Sequence, residues 1–452
     1  MKVSHRFSAQ FDDDNLLGRA GLVPVMALAE SAGLFDLAGE HVKVPGSAGA
    51  YAEVKVSSLV AGMVAGADSI SDMCLLRHGG MGRAFDQTRA PTTLGTHLRG
   101  YTFGHVRQLD AVASRFLAAL ATRVPGLLAG GDKAAYVDID DTIRETHGYA
   151  KQGAGYGYSG VKGLNAQVAT VSTLQAAPVI AGIRLRRGAA ASAHGARRLI
   201  SDALATARKA GVGSLVTVRA DSAYYQYETV AAARNGGAHF SITARMNPGV
   251  VAAISRIPET AWVAIKYPNA IWEEAEGRWV SDAEVAEIDY TAFTSRKKNE
   301  HVTARLIVRR VKRLGGQDEL MPTYRHHAVF TNSPLEMLEA EASHRDHAIV
   351  EQVIADLKGG PLAHCPSGKF AANSAWTVLA AIAFNLTRAA GVLASRFHAR
   401  ARAATIRNEL IAVPARIANR AQRWILHLPR NWQCQDAWQT LFRVTSQLRY
   451  WT

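Results

Sequence analysis

The ten residues Lys133–Thr142, reading Lys-Ala-Ala-Tyr-Val-Asp-Ile-Asp-Asp-Thr, constrain the fold more than any other stretch of the chain. Apolar and acidic residues alternate there, as on a strand whose side chains point to opposite faces in turn. Val137 and Ile139 fall on one face; Asp138 and Asp140 fall on the other, with Thr142 next in line. Acids at the end of a buried strand are costly unless something compensates them. Hard divalent cations take carboxylate oxygens, so a metal ion is the natural compensation. An edge strand with solvated aspartates is the alternative. The other ligands of a metal site must come from elsewhere in the chain.

A chain of 452 residues is too long for one ordinary core and predicts two to four domains. With 48% apolar residues it is not a disordered chain. The net charge of +14 favours a polyanionic partner. Cys74, Cys365 and Cys434 show no paired spacing, which argues against a disulfide framework or a zinc module and fits a reducing cytoplasm. Asp12, Asp13 and Asp14 stand where a signal peptide would carry its apolar core. The longest apolar runs, 56–67 and 375–386, are shorter than the roughly 20 residues of a spanning helix. They read as buried core helices, and no membrane partner is expected.

Residues 1–130 read as a helical domain. Val25, Leu28, Ala32 and Phe35 fall at helical spacing. Arg77, Arg83, Arg89, Arg99 and Arg107 suit DNA binding, and also a plain bundle with solvated charges. From about 133 the pattern changes. Strands are predicted over 164–172, 178–187, 214–221, 238–246 and 324–331, with helices over 194–210 and 226–235. That alternation argues for an α/β sheet, with core segments 131–246 and 323–387. Gly155–Gly160 matches a dinucleotide fingerprint by letter, but a strand and not a helix follows, so a hairpin connection or substrate loop is expected. Between them, 247–322 carries Trp262, Trp272, Trp279, Tyr290 and Phe293 among β-branched residues and reads as a β-rich insertion. Its tryptophans are core residues or platforms for a flipped base.

The second acid, Asp221, ends the strand over 214–221. The third lies on a helix predicted over 344–358. Val350, Val353, Ile354 and Leu357 form its apolar stripe. His344, His347, Glu351 and Lys358 form a second stripe, within roughly 60° of one another. The alternative is an amphipathic helix with a solvated polar face. Two strand-borne acids and one helix-borne acid are what a two-metal phosphoryl-transfer site requires. The order of elements suits a ribonuclease-H-like fold.

Three segments carry a family resemblance: Asp138-Ile-Asp140-Asp-Thr142, Val218-Arg-Ala-Asp221-Ser-Ala-Tyr224, and His344–Lys358. Gly360–Pro366, Ala372–Trp376, Asn385–Arg388 and Ala20–Pro24 agree with them. Together they resemble a DDE transposase of a bacterial insertion sequence, most closely the insertion-sequence thirteen-eighty family. The resemblance implies a ribonuclease-H-like α/β core with a β-rich insertion, flanked by helical N- and C-terminal regions. It implies that Asp140, Asp221 and Glu351 are catalytic and hold two Mg²⁺ ions, with Mn²⁺ as a substitute; Asp138 is the fallback for the first acid, and Asp141 comes after it. Relatives carry Tyr and Arg where this chain has His344 and His347; Arg345 is the candidate replacement for the lost guanidinium. His344, Arg345, His347, Lys358, Arg219 and Arg388 are the implied DNA and phosphate contacts. The implied reaction cleaves the element's ends and joins them to target DNA. The partner is double-stranded DNA, both inverted-repeat ends and target, bound by a homodimer in the cytoplasm at the nucleoid. A nuclease or resolvase that hydrolyses without joining, and a non-catalytic DNA-binding derivative, are the other readings.

From Arg388 onward there are eleven arginines and no lysine, against Glu409 and Asp436. This region, 388–452, is expected to be helical and to grip phosphate. Trp424, Trp432, Trp438, Phe442, Tyr450 and Trp451 are interleaved with the arginines and read mostly as core.

Overall fold

The computed structural model describes residues 1, 5–147, 150–274, 277–312, 324–421 and 423–448, with backbone alone at 267–271, 273 and 278–281. Arg449, Tyr450, Trp451, the Trp279 side chain and residues 313–322 of the expected insertion lie outside the described residues. The chain forms two compact units. One comprises Met1–Val124, Ala150–Gln152 and Asp356–Thr452; the other comprises Pro125–Tyr149 and Gly153–Ala355.

The second unit is built on a mixed sheet. Its strands are β1 (Ala135–Glu145), β2 (Lys162–Ser172), β3 (Val179–Arg187), β4 (Val216–Ala220), β5 (His239–Thr243), β6 (Val263–Glu273), β7 (Arg278–Ala292), β8 (Val302–Lys312) and β9 (Tyr324–Thr331). They lie in the order β3-β2-β1-β4-β5-β9-β8-β7-β6. β1 is antiparallel to β2 and parallel to β4, and β4 is parallel to β5. From β9 outward every pairing is antiparallel. The unit is mixed α/β; it ends at Ala355, where core segments running to 387 were expected, and it includes the β-rich segment. That segment extends the same sheet, because β8 pairs with β9 along Arg305–Lys312. Val285 and Ile307 bury themselves with Ala340 of the helix Met337–Arg345. β4 is buried along its whole length, including Arg219. The helix Ala196–Lys209 packs on β3 and β2, with Leu199 and Ala203 against Gly182 of β3.

In the first unit the helix Phe370–Ala394 is buried nearly all round. The apolar run read at 375–386 is longer than its expected limits. By length and composition this 25-residue helix could cross a membrane, and 89% of its apolar window is buried in the protein. A helix apolar on every side needs partners on every side. Ala52–Ala65 and Phe103–Arg123 supply them from one end of the sequence, and Gln435–Leu448 from the other. The regions 1–130 and 388–452, expected as separate, thus share one core. Leu16–Leu17 also pairs with the strand Ala415–Arg420.

Two local departures have simple causes. The first apolar stripe breaks at Gly33, whose φ of 76° ends one helix at Ser31 and starts the next at Leu34. Val25, Leu28 and Ala32 are buried while Phe35 is left exposed. The C-terminal region is not wholly helical: Ala415–Arg420 and Arg423–His427 form a hairpin. There Ala415 and Ile417 are buried while Arg416 is exposed, a period of two.

Candidate active site

The sheet places two acids side by side. In the parallel pairing of β1 and β4 the last matched residues are Ile139 and Ala220. Asp140 and Asp221 are the next residues of the two strands, which run about 4.8 Å apart. Asp221 lies just beyond the last strand residue, Ala220, where the strand was expected to run through 221. β1 continues to Glu145, because β2 still pairs with it as far as Gly163. Asp140 is therefore mid-strand, at the point where β4 leaves its side. Asp140 accepts the Asp141 N–H at 2.7 Å, and Asp221 caps the turn Ser222–Tyr224 by accepting the Ala223 N–H at 3.0 Å.

The third acid comes from a helix that is broken where continuity was expected. Met337–Arg345 ends, Asp346–Ala348 makes a 3₁₀ turn, and a new helix runs Ile349–Lys358. Val350, Val353, Ile354 and Leu357 are its buried stripe, as read from sequence. Glu351 lies exposed in its first turn. His344 sits on the preceding helix, so the single stripe through His344, His347, Glu351 and Lys358 does not exist.

Electrostatics link the three acids. Burial, followed by the negative charges of Asp221, Asp141 and Glu351, pushes the Asp140 carboxyl up to about 7. Asp221 is also raised, first by burial; the Ala223 N–H opposes this, Asp141 adds to it, and His347 opposes it. The three carboxylates do not all lie within 4.8 Å of one another. Two ions about 3.5–4 Å apart would span a wider set than one ion can.

The neighbouring aspartates behave differently. Asp138 forms a two-pronged ion pair with Arg219, 2.6 Å from Nε to Oδ1 and 2.8 Å from Nη2 to Oδ2, and both side chains are buried. Asp141 points to the opposite face and pairs with Arg186 Nη2 at 2.6 Å. Among the described residues, no lysine or arginine forms an ion pair with Asp140, Asp221 or Glu351. Carboxylates that repel one another and lack a built-in cation form a donor set suited to hard divalent ions.

The family model described as "Transposase DDE domain group 1" matches residues 2–450. The chain belongs to this family. It is a DNA transposase, a metal-dependent enzyme that cleaves and joins DNA. No curated protein matches the sequence. Among solved structures, one similar chain is the piggyBac transposase in a synaptic complex with hairpin DNA. The likeness covers 85% of this chain and 78% of that one, at 10% identity and a TM-score of 0.42.

The transposase places its other expected site residues unevenly. Asp138 and Arg219, expected as a fallback metal ligand and a phosphate contact, are committed to each other. Arg219 also donates to the Ser343 carbonyl and stacks on Tyr136. His344 is buried, with Nδ1 3.0 Å from Ser241 Oγ and Nε2 2.9 Å from Thr243 Oγ1. Burial, with the nearby charges of His347 and Arg219, holds it neutral well below the usual histidine range. It anchors the helix to β5 and is not placed to meet phosphate. Arg345 pairs with the buried Glu341 at 3.0 Å. Arg388 is buried in the helical unit and donates to the Ala401 carbonyl at 2.7 Å. His347 donates Nδ1–H to the His344 carbonyl at 2.7 Å, which leaves Nε2 for other contacts. Lys358 closes the Glu351 helix and is exposed.

One group was missed in the sequence. Arg186 donates Nη1 to the carbonyls of Ala191, Ser192 and His194, and Nε to Asn165 Oδ1 at 2.9 Å. Asn165 in turn donates to Asp141, and the Tyr224 hydroxyl lies 3.4 Å from Asp141 Oδ1. Asp141 follows Asp140, and Tyr224 closes the turn that Asp221 caps. The network therefore ties together the backbones that carry the two inner acids. In sequence Asp141 stood only as a remoter candidate for the first acid, and its partners Arg186 and Asn165 carried no signal. Asp141→Asn is expected to lower cleavage about 10–100-fold, as for a supporting partner of a ligand. Single-turnover cleavage and DNA binding, measured together, check this; unchanged cleavage would remove the network from the site.

Proposed function

We propose that this transposase moves a bacterial insertion sequence of the thirteen-eighty type. In this reading it cleaves the phosphodiester at each element end and joins the freed 3′-hydroxyl to target DNA. Asp140, Asp221 and Glu351 would hold two Mg²⁺ ions, with Mn²⁺ as a substitute. The observation that carries the reading is the contrast among the acids: Asp138 and Asp141 have arginine partners, and among the described residues Asp140, Asp221 and Glu351 pair with no arginine or lysine. The strand order β3-β2-β1-β4-β5, with β1 central between antiparallel and parallel neighbours, supports a ribonuclease-H-like core.

When bound, the ions supply charge neutralisation at the phosphate and stabilise the attacking and leaving oxygens of an in-line displacement. The chain's own residues set the geometry. Asp140 and Asp221 are fixed by adjacent parallel strands, and Glu351 is offered from a separate helix. His347 and Lys358 are the groups left to hold phosphate, by charge-assisted hydrogen bonds. Exposed Arg416, Arg420 and Arg423 on the C-terminal hairpin, with exposed Trp424 beside them, suit the backbone of an element end. Two ends must be paired, so the working form is a homodimer on double-stranded DNA. Its place is the bacterial cytoplasm, at the nucleoid, with no membrane partner.

The test is a strand-transfer assay with labelled end DNA, a target plasmid and Mg²⁺. Joined products are expected. Hydrolysed ends that never join would make the protein a nuclease and sink this reading.

A pH dependence follows. In the folded chain Asp140 keeps its proton up to about pH 7. Cation binding below that pH must displace the proton, so apparent affinity is expected to fall about tenfold per pH unit as the solution is acidified. Because the folded carboxyl ionises at higher pH than the unfolded one, the cation-free protein loses stability as pH rises from the ordinary carboxylate range to about 7. Added cation restores it. Titration calorimetry in two buffers of different ionisation enthalpy would detect the released proton; proton-free binding at pH 6 would remove Asp140 from the ligand set.

A further inference from the structure

We propose that His398, Glu409 and Cys434 form a zinc site in the helical unit, separate from the acids on the sheet. Their donor atoms all lie within 4.8 Å of one another. His398 Nε2 is 3.0 Å from Glu409 Oε2, and Cys434 Sγ is 3.2 Å from the same oxygen. Zinc bonds of about 2.0–2.3 Å at tetrahedral angles put neighbouring ligand atoms about 3.5 Å apart. The two distances to Glu409 are a little under that spacing and the third is within 4.8 Å, so an ion requires only a small adjustment.

Each ligand has its own anchor. Ser395 Oγ lies 2.7 Å from His398 Nδ1, which fixes the ring and directs Nε2 to the cluster. Oriented ligand histidines are held this way in metal sites. Glu409 lies in the π-helical turn Arg407–Ile411. Such turns are rare and are concentrated at functional positions. Trp432 donates Nε1–H to the Glu409 carbonyl at 2.9 Å, joining the turn to the segment that carries Cys434. His398 is 3% exposed and Glu409 21%, so the cluster is closed on one side and reachable on the other.

The donor set selects the ion. One nitrogen, one oxygen and one sulfur suit Zn²⁺; a thiolate is a poor ligand for Mg²⁺. Thiolate and carboxylate together carry two negative charges, which one Zn²⁺ neutralises. On binding, the Cys434 thiol releases its proton to solvent, and a water completes the four-coordinate shell. The consequence is structural. The ion would fasten the loop after Phe370–Ala394, the π turn and the start of Gln435–Leu448 to one another. The spacing of 398, 409 and 434 follows no short motif, because the ligands come from three segments that meet only in the fold.

The test uses the full chain, treated with chelator and then titrated with Co²⁺ in excess Mg²⁺. One equivalent of Co²⁺ is expected to produce a thiolate-to-cobalt charge-transfer band, which Zn²⁺ bleaches. The band is expected to vanish in Cys434→Ser and to persist in Cys74→Ser and Cys365→Ser. No thiolate band in the wild-type chain, or a band that survives Cys434→Ser, overturns the proposal. Should Cys434→Ser fail to fold, alkylation of the wild-type chain decides. Zn²⁺ is expected to protect Cys434 selectively, and equal labelling with and without Zn²⁺ overturns the site.

Discussion

Asp221→Asn and Glu351→Gln each lower end cleavage on the order of 10³-fold or more, the scale of losing one transition-state electrostatic contact. Each substitution keeps side-chain size and removes one negative charge. DNA binding is expected to persist, because neither acid contributes attraction to phosphate. The loss exceeds the about 10–100-fold expected at Asp141, because Asp141 acts through its neighbours. The double variant Asp221→Asn/Glu351→Gln is expected to be little worse than either single one, since groups that act as a unit do not add. Cleavage of labelled end DNA, with binding measured on the same preparations, reads both quantities. Full cleavage by either single variant would remove that residue from the site.

The second large effect is on stability. Arg219→Met leaves Asp138 buried with no cation, and removing one partner of a buried pair costs about 3–5 kcal/mol. The pair is almost wholly inaccessible, at 2% and 0% exposure, so solvent gives little relief. Arg219 also donates to the Ser343 carbonyl, which couples β4 to the helix just before the break at Asp346. The variant is thus expected to loosen the approach to Glu351 as well as to unfold more readily. Asp138→Leu combined with Arg219→Met removes both charges and is expected to recover most of the loss. Urea unfolding compares the three proteins. If Arg219→Met unfolds at the wild-type denaturant concentration, the pair is not what holds β1 to β4 on this face.

Much of the strand and helix order was legible because period-two and helical patterns depend on near neighbours. The strands at 164–172, 178–187 and 324–331 and the helices near 194–210 and 226–235 follow from local alternation and spacing. The break at Asp346–Ala348 was not legible. The residues of 344–358 keep a helical hydrophobic rhythm, and it is the anchoring of His344 between Ser241 and Thr243 that ties the preceding helix to β5. The hairpin at 415–427 was hidden by its arginines, since a basic run has no marked period. The union of the two chain ends was hidden for another reason: nothing local in Phe370–Ala394 states which distant helices will cover it.

By itself the sequence determined the chemistry on offer: three acids on two strands and a late helix, a strongly positive chain, and a resemblance resting on those same segments. Only the tertiary structure decided which acids, among the described residues, have no arginine partner. Asp138, Asp140 and Asp141 are nearly adjacent in the chain and chemically alike. The parallel register of β1 with β4 sets Arg219 against the first, and β2 with β3 sets Arg186 against the third. Strand register is a property of pairing between distant segments, and a one-residue shift would exchange the faces. The fold, and not the local motif, therefore left Asp140 beside Asp221.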